Sequence, residues 1–108
     1  MLNQTVIVGR VTTNPEIFET DGGNKVTNLT LAVPRSYKNI DGEYDTDFLD
    51  IVLWKSIAEN TVEYVKKGDL VGVKGRLETE VVDNIKVTRI VAEKVTFLSS
   101  KKSEEGDA

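Results

Sequence analysis

With 108 residues, 39% of them hydrophobic and 30% charged, the chain has material for one folded domain around one core. It contains no cysteine and no histidine, which excludes a disulfide framework, a thiolate metal site and any histidine-dependent triad. The formal net charge of −4 argues against a nucleic-acid ligand as a whole-chain sum, but phosphate contact needs only a local basic groove.

The first predicted strand covers residues 2–11, where Val6, Ile7, Val8 and Val11 put apolar side chains on both faces. Such a strand is expected to be covered on both sides, one of them by a partner subunit. No basic and apolar leader precedes it, and no apolar run approaches the ~20 residues of a membrane span. A cytoplasmic location without a membrane partner is expected. Asp21-Gly22-Gly23-Asn24 signals a turn. Residues 27–33 then alternate, with Leu29, Leu31 and Val33 inward and Asn28 and Thr30 outward. Pro34 is expected to end regular pairing or mark an edge. A polar loop over residues 36–46, turning at Asp41-Gly42, leads into the third strand.

That strand reads Asp47-Phe48-Leu49-Asp50-Ile51-Val52-Leu53-Trp54. With period two, Leu49, Ile51 and Leu53 form a core face, and Phe48, Asp50, Val52 and Trp54 form the other. Two aromatics beside a carboxylate imply a face that is at least partly wet. Exposed rings suit stacking on unpaired bases, because every base has a π-face. A small second core or an oligomer contact explains the strand equally well.

Ser56 is expected to open the one helix, with Ser56-Ile57-Ala58-Glu59 as a capping box. Ala58, Val62 and Val65 share a face, Lys66 and Lys67 suit the last turn, and Gly68 suits the stop. Residues 70–80 alternate again, with Val71, Val73, Gly75 and Leu77 opposed to Lys74, Arg76 and Glu78. Asp83-Asn84 can form a hairpin turn into a long final strand, residues 85–98. Residues 101–108 read as a short disordered polar tail after a domain spanning residues 1–100. Strands in this order, with a helix between the third and fourth of five, describe an all-β chain folded as an OB barrel. The usual ligand face of that barrel is built from the second and third strands and their loops, the segments that carry Tyr37, Phe48 and Trp54.

Basic residues flank these rings: Arg35 and Lys38 bracket Tyr37, Lys55 follows Trp54, Lys74 and Arg76 share an outward face, and Arg10 closes the first strand. In a barrel they would line one electrostatic groove with stacking platforms. Taken singly, each is equally well explained as a solvated surface charge. The acidic run from Asp41 to Asp47 lacks the spacing and closing glutamate of a calcium loop, so no metal is expected. Gly68, Gly72 and Gly75 lie in or beside a strand and read as bends rather than a phosphate loop, so no nucleotide cofactor is expected. An enzymatic reading has little support.

Met1-Leu2-Asn3, Val8-Gly9-Arg10, Asn14-Pro15-Glu16, Leu31-Ala32-Val33, Asp47-Phe48, Trp54, Ala58-Glu59-Asn60, Lys66-Lys67-Gly68 and Val73-Lys74-Gly75-Arg76-Leu77 stand in order along the chain. Together they resemble the bacterial and phage single-stranded DNA-binding proteins over residues 1 to about 98. The resemblance implies an OB fold, commonly a homotetramer, that coats single strands in replication, recombination and repair. It implies base stacking on Tyr37, Phe48 and Trp54. The phosphate contacts expected with it come from Arg10, Arg35, Lys38, Lys55, Lys74 and Arg76.

Two features depart from the family pattern. Many relatives carry a further aromatic, led by basic residues, in the hairpin between the fourth and fifth strands. Here that stretch is Glu78-Thr79-Glu80-Val81-Val82, so one platform is expected to be missing and two carboxylates to repel phosphate. The long linker and acidic tip that dock other enzymes also find no counterpart, and no docking through such a tip is expected. A phage, plasmid or accessory member fits these departures. The competing function is a small dimeric OB adaptor of the primosomal accessory type, which assembles replication proteins.

Overall fold

The computed structural model describes residues 1–100; the expected polar tail lies outside the described residues. Seven elements follow in chain order: β1 (Thr5–Val11), β2 (Phe18–Glu19), β3 (Lys25–Lys38), β4 (Tyr44–Trp54), α1 (Lys55–Tyr64), β5 (Leu70–Val82) and β6 (Ile85–Ser99). The strands hydrogen-bond in the order β1-β5-β6-β4-β3-β2, and a further β1–β3 pairing closes the ring. The five-stranded OB barrel expected from the sequence is therefore present, with the two-residue β2 added at the edge of β3.

The period-two pattern explains the core. Leu29, Leu31, Ile51, Leu53, Val71 and Val73 all point into the barrel and are at most 1% exposed. At ~1.5–3 kcal/mol for each such side chain, this interior drives folding. Ala58 from α1 and Val65 just after it join this core.

Local contacts differ from the sequence expectation at three places, each for a physical reason. The capping box does not form. Lys55 takes a left-handed φ of 56°, so the helix starts at once after Trp54 and no side chain caps it. Glu59 instead pairs with Lys25 at 3.1 Å. Secondly, α1 ends at Tyr64, leaving Lys66 and Lys67 beyond it. Their amides donate to side chains, Lys66 N–H to Asp69 Oδ2 and Lys67 N–H to Asn14 Oδ1, both at 2.8 Å. Those two carboxyl and amide oxygens stop the helix, and Gly68 (φ 94°) then turns the chain so that its N–H reaches Val11 O at 2.8 Å.

Thirdly, the expected loop over residues 36–46 is mostly strand. β3 runs through Pro34 to Lys38, with Pro34 opposite Thr46 and a break in register before Lys38 opposite Tyr44. Only residues 39–43 turn. Asn39 Oδ1 accepts the amides of Asp41 (2.9 Å) and Glu43 (3.0 Å), and Gly42 supplies a φ of 79°. An asparagine that mimics a backbone turn shortens the loop into a projecting hairpin arm.

The β1 expectation is met on one face. Ile7 and Val11 are buried, while Val6 and Val8 stay 74% and 50% exposed. Beside them, Leu98 Cδ1 and Val8 Cγ2 both lie 3.8 Å from where a Cβ on Gly72 would stand, so the outer β1–β5–β6 face is an apolar patch. The Asp83-Asn84 turn forms as expected, with φ of 51° and 65° and Val82 opposite Ile85. Among the described residues, no helix is long and apolar enough to cross a membrane.

Candidate nucleic-acid interface

β4 is the spine of the site. Ile51 and Leu53 are buried and Leu49 packs against the core, which holds the backbone rigid and turns Phe48, Asp50, Val52 and Trp54 outward. Phe48 is 65% and Trp54 38% exposed. About 20 Å of strand separates the rings, at ~3.3 Å per residue. Between them the Thr30 hydroxyl donates to Asp50 at 2.6 Å, keeping that carboxylate engaged.

Register places the flanking charges. Arg10 lies opposite Ala32, which lies opposite Phe48, so Arg10 and Phe48 share one row. On the other side Val52 pairs with Val91 and Val91 with Arg76. Each arginine is thus two strands from β4, roughly 10 Å at ~4.8 Å per strand, one on either side of the aromatic strand. Arg10, Ala32, Pro34 and Thr46 also line a shallow pocket of about 340 Å³ with Val8, Gly9 and Leu70.

Tyr37 is set apart. It is 61% exposed on the hairpin arm, where Arg35 binds both it and Asp47. Arg35 Nε and Nη2 donate to Asp47 at 3.1 and 3.0 Å, and Nη1 reaches the Tyr37 hydroxyl at 3.4 Å. The guanidinium carbon stands 6.0 Å from the Tyr37 ring centre. Since Asp47 and Phe48 point to opposite faces of β4, Tyr37 belongs with the Arg35–Asp47 side and not with the Phe48–Trp54 face.

This pairing perturbs both partners. The hydrogen bonds and charge of Asp47 hold the Arg35 guanidinium more firmly protonated than usual. Hydrogen bonding from Arg35 in turn holds the Asp47 carboxyl below its ordinary range, although partial desolvation opposes this. A carboxyl depressed on folding stabilises the fold above its unfolded pKa, and that contribution fades as pH falls through the folded value. The exposed position of the pair keeps the effect small.

The remaining cations divide similarly. Arg10 Nη1 donates to the Gly68 carbonyl at 2.8 Å, which fixes the side chain at the barrel end. Arg76 is held between Glu78 (2.6 Å) and Glu93 (3.5 Å). Lys38 Nζ sits 5.9 Å from the Tyr44 ring centre. Lys55 stands at the strand-to-helix junction beside Trp54, with no ion pair among the described residues. Lys74 also has none; it lies two residues before Arg76 on the same outward face of β5, opposite Val6 and Lys94, on the side of the apolar β1–β5–β6 patch. Register therefore brings Arg10, Arg76, Phe48 and Trp54 to one outward surface, with Lys55 following Trp54 in the chain and Lys74 beside Arg76 on β5, and leaves Tyr37, Arg35 and Lys38 on the arm.

Two features of the surface escape a reading along the chain. Arg89 pairs with Glu80 at 2.7 Å, so one of the two expected repelling carboxylates is already matched, as Glu78 is by Arg76. Phe18, 57% exposed, lies opposite Val26, which lies opposite Trp54. The signal for Phe18 was faint, because β2 has only two residues and no alternation to read.

The chain is similar to known proteins over nearly its whole described length. Residues 2–98 match the model of the single-strand binding protein family. A protein of Halalkalibacterium halodurans named single-stranded DNA-binding protein is 45% identical, over 96% of this chain and 65% of its own length. Single-stranded DNA-binding protein B of Bacillus subtilis is 42% identical over 97% of both chains. The wild-type single-stranded DNA binding protein of Thermus aquaticus superposes with a TM-score of 0.80 at 25% identity, covering 94% of this chain and 52% of that one. The chain thus spans about half of the Thermus protein and under two thirds of the Halalkalibacterium one. With this barrel, this helix and this match over residues 2–98, the chain belongs to the single-strand binding protein family.

Proposed function

We propose that this chain binds single-stranded DNA without sequence preference and coats it in replication, recombination and repair in the bacterial cytoplasm, with no catalytic step. The observation that carries this reading is the outward face of β4, where exposed Phe48 and Trp54 stand on a rigid strand with Arg10 and Arg76 in flanking rows. Bases stack on Phe48 and Trp54, and on Tyr37 where the strand passes the arm. Lys55 and Lys38 take phosphates directly, Arg10 contributes from its row beside Phe48, and Lys74 adds positive potential next to Arg76. Arg35 and Arg76 contribute only as far as phosphate competes with their carboxylates. A salt dependence lower than six cations would suggest follows from that competition.

Trp54 is the chain's one tryptophan, so its fluorescence reports on the platform directly. Titration with oligothymidylate is expected to quench it to saturation. Affinity is expected to fall by about 0.7 log units per log unit of salt for each phosphate neutralised. Tight binding without quenching would move the site off Trp54, and no binding at low salt would refute the function.

Asp47→Asn tests the competition. Loosening Arg35, which then keeps only Asp45 at 3.9 Å, is expected to strengthen oligothymidylate binding at low salt and steepen the salt slope by up to about 0.7, one further phosphate. An unchanged slope would show that Arg35 does not reach the strand.

The outer β1 face supports self-assembly. Val6, Val8 and Leu98, 74%, 50% and 48% exposed, form a patch that a second copy would cover, and the proposed assembly is a homotetramer. Val6→Asp with Val8→Asp is expected to lower the mass measured by light scattering while the fold persists. A wild-type dimer would favour the adaptor reading over the coat protein.

A further inference from the structure

We infer that Phe18 is an additional base-stacking platform, so that the single strand continues past Trp54 across β3 onto β2. This rests on the proposed DNA-binding reading and extends its path beyond Tyr37, Phe48 and Trp54. The placement is set by register: Phe18 opposes Val26 and Val26 opposes Trp54, so the three side chains form one outward row. The rings stand two strands apart, about 10 Å between backbones, with half-buried Val26 as the floor between them. Neighbouring nucleotides bridge such a span.

The backbone beneath Phe18 is fixed, as a platform requires. Pro15 is buried, Ile17 packs against the core, and the Thr27 hydroxyl donates to the Glu16 carbonyl at 2.6 Å. After β2, the Thr20 amide donates to Asn24 O at 2.9 Å and the Gly23 amide to Thr20 O at 2.8 Å, closing a tight hairpin. Everything around the ring is anchored, yet the ring itself stays 57% exposed. Alternation turns Glu19 to the other face, where its partner Lys25 is tied to Glu59 at 3.1 Å. Phe18 therefore presents an open π-face beside Trp54 with no charge of its own strand in the row. Stacking on it favours no particular base, which matches a sequence-independent ligand.

The test uses the full chain, fluorescently labelled oligothymidylates of increasing length, and anisotropy. Phe18→Leu keeps an apolar side chain of similar reach but removes the π-face. It is expected to weaken binding of long oligonucleotides by roughly 5- to 150-fold. The shortest oligonucleotides that still quench Trp54 are expected to bind as to wild type, and Phe18→Tyr to restore full affinity. In a second variant, Phe18→Trp with Trp54→Phe, the single tryptophan reports from position 18. Its quenching by long but not short oligonucleotides supports the platform. Equal binding by Phe18→Leu at every length overturns it, and so does an equal loss at every length, which marks a structural role. An unquenched tryptophan at position 18 in a saturated complex also overturns it. If wild type binds no oligothymidylate at low salt, the function falls and this platform with it; if wild type binds and position 18 is silent, this platform alone falls.

Discussion

Phe48→Ala is expected to weaken oligothymidylate binding by about 5- to 150-fold, the equivalent of ~1–3 kcal/mol for one lost base stack. Anisotropy titration at fixed low salt measures it. The variant is informative because Phe48 is 65% exposed and its strand is anchored by Leu49, Ile51 and Leu53 on the opposite face. Truncation of an exposed ring shifts stability by only about 0.5 kcal/mol, so the folded fraction is unaffected. Trp54→Ala is expected to cost as much affinity but is less clean, since Trp54 is only 38% exposed and occupies the position before α1. The rings stand about 20 Å apart along β4, too far to share a base, so the two losses should add. The double variant is then expected to lose roughly 30-fold or more. Wild-type affinity in both single variants would refute stacking on β4 altogether.

Gly75→Ala is expected to cause the largest loss of stability of any single methyl addition in the barrel, about 3 kcal/mol. A Cβ at Gly75 would collide with the Val91 carbonyl oxygen and stand 3.2 Å from its carbon and 3.4 Å from Ala92 Cα. All three neighbours are backbone, so no rotamer change relieves the contact. The approach is close because the β5–β6 register shifts between Lys74 and Gly75, where β5 bends over its neighbour. A fall of roughly 10–25 °C in the thermal midpoint follows, or failure to fold. Gly72→Ala is the control: a Cβ there meets only side-chain atoms of Leu98 and Val8 at 3.8 Å, ordinary contact distance. Equal midpoints for the two variants would disprove the steric account.

Gly75 also illustrates what a linear reading reaches. Its position inside an alternating run marks it as a bend, but only the β6 backbone against it shows why no side chain fits. The turn residues behave likewise. Asp83-Asn84 forms the expected tight turn because both residues tolerate positive φ locally. Asn39 shortens the arm through local hydrogen bonds, accepting from the Asp41 and Glu43 amides and donating to Asp45 Oδ1. Ser56 and Glu59 match a capping box locally, yet Lys25 comes from β3 and takes the glutamate. There a long-range partner displaces the local one.

What the sequence determined by itself is the inward and outward sorting along β3, β4 and the first half of β5, hence most of the core and the two rings on β4; Leu77, grouped with the inward residues of β5, is instead 47% exposed where β5 runs out past the barrel. Side-chain direction in a strand follows from period two alone, and burial enforces it, because a slip of one residue would turn the core to solvent. What only the tertiary structure decided is which charges and rings meet. Arg10 and Arg76 flank the aromatic strand because β1 and β5 wrap around from distant parts of the chain. Arg35 is matched by Asp47 and Arg76 by Glu93 through strand pairing, while Glu78, two residues along β5 on the same face, is a partner the alternation already placed beside Arg76. Tyr37, near the other candidates in sequence terms, stands on the arm, while Phe18 joins Trp54 through a register no local pattern encodes. Electrostatic pairing and stacking depend on separations of a few ångströms between residues far apart in the chain, and those separations exist only once the barrel has closed.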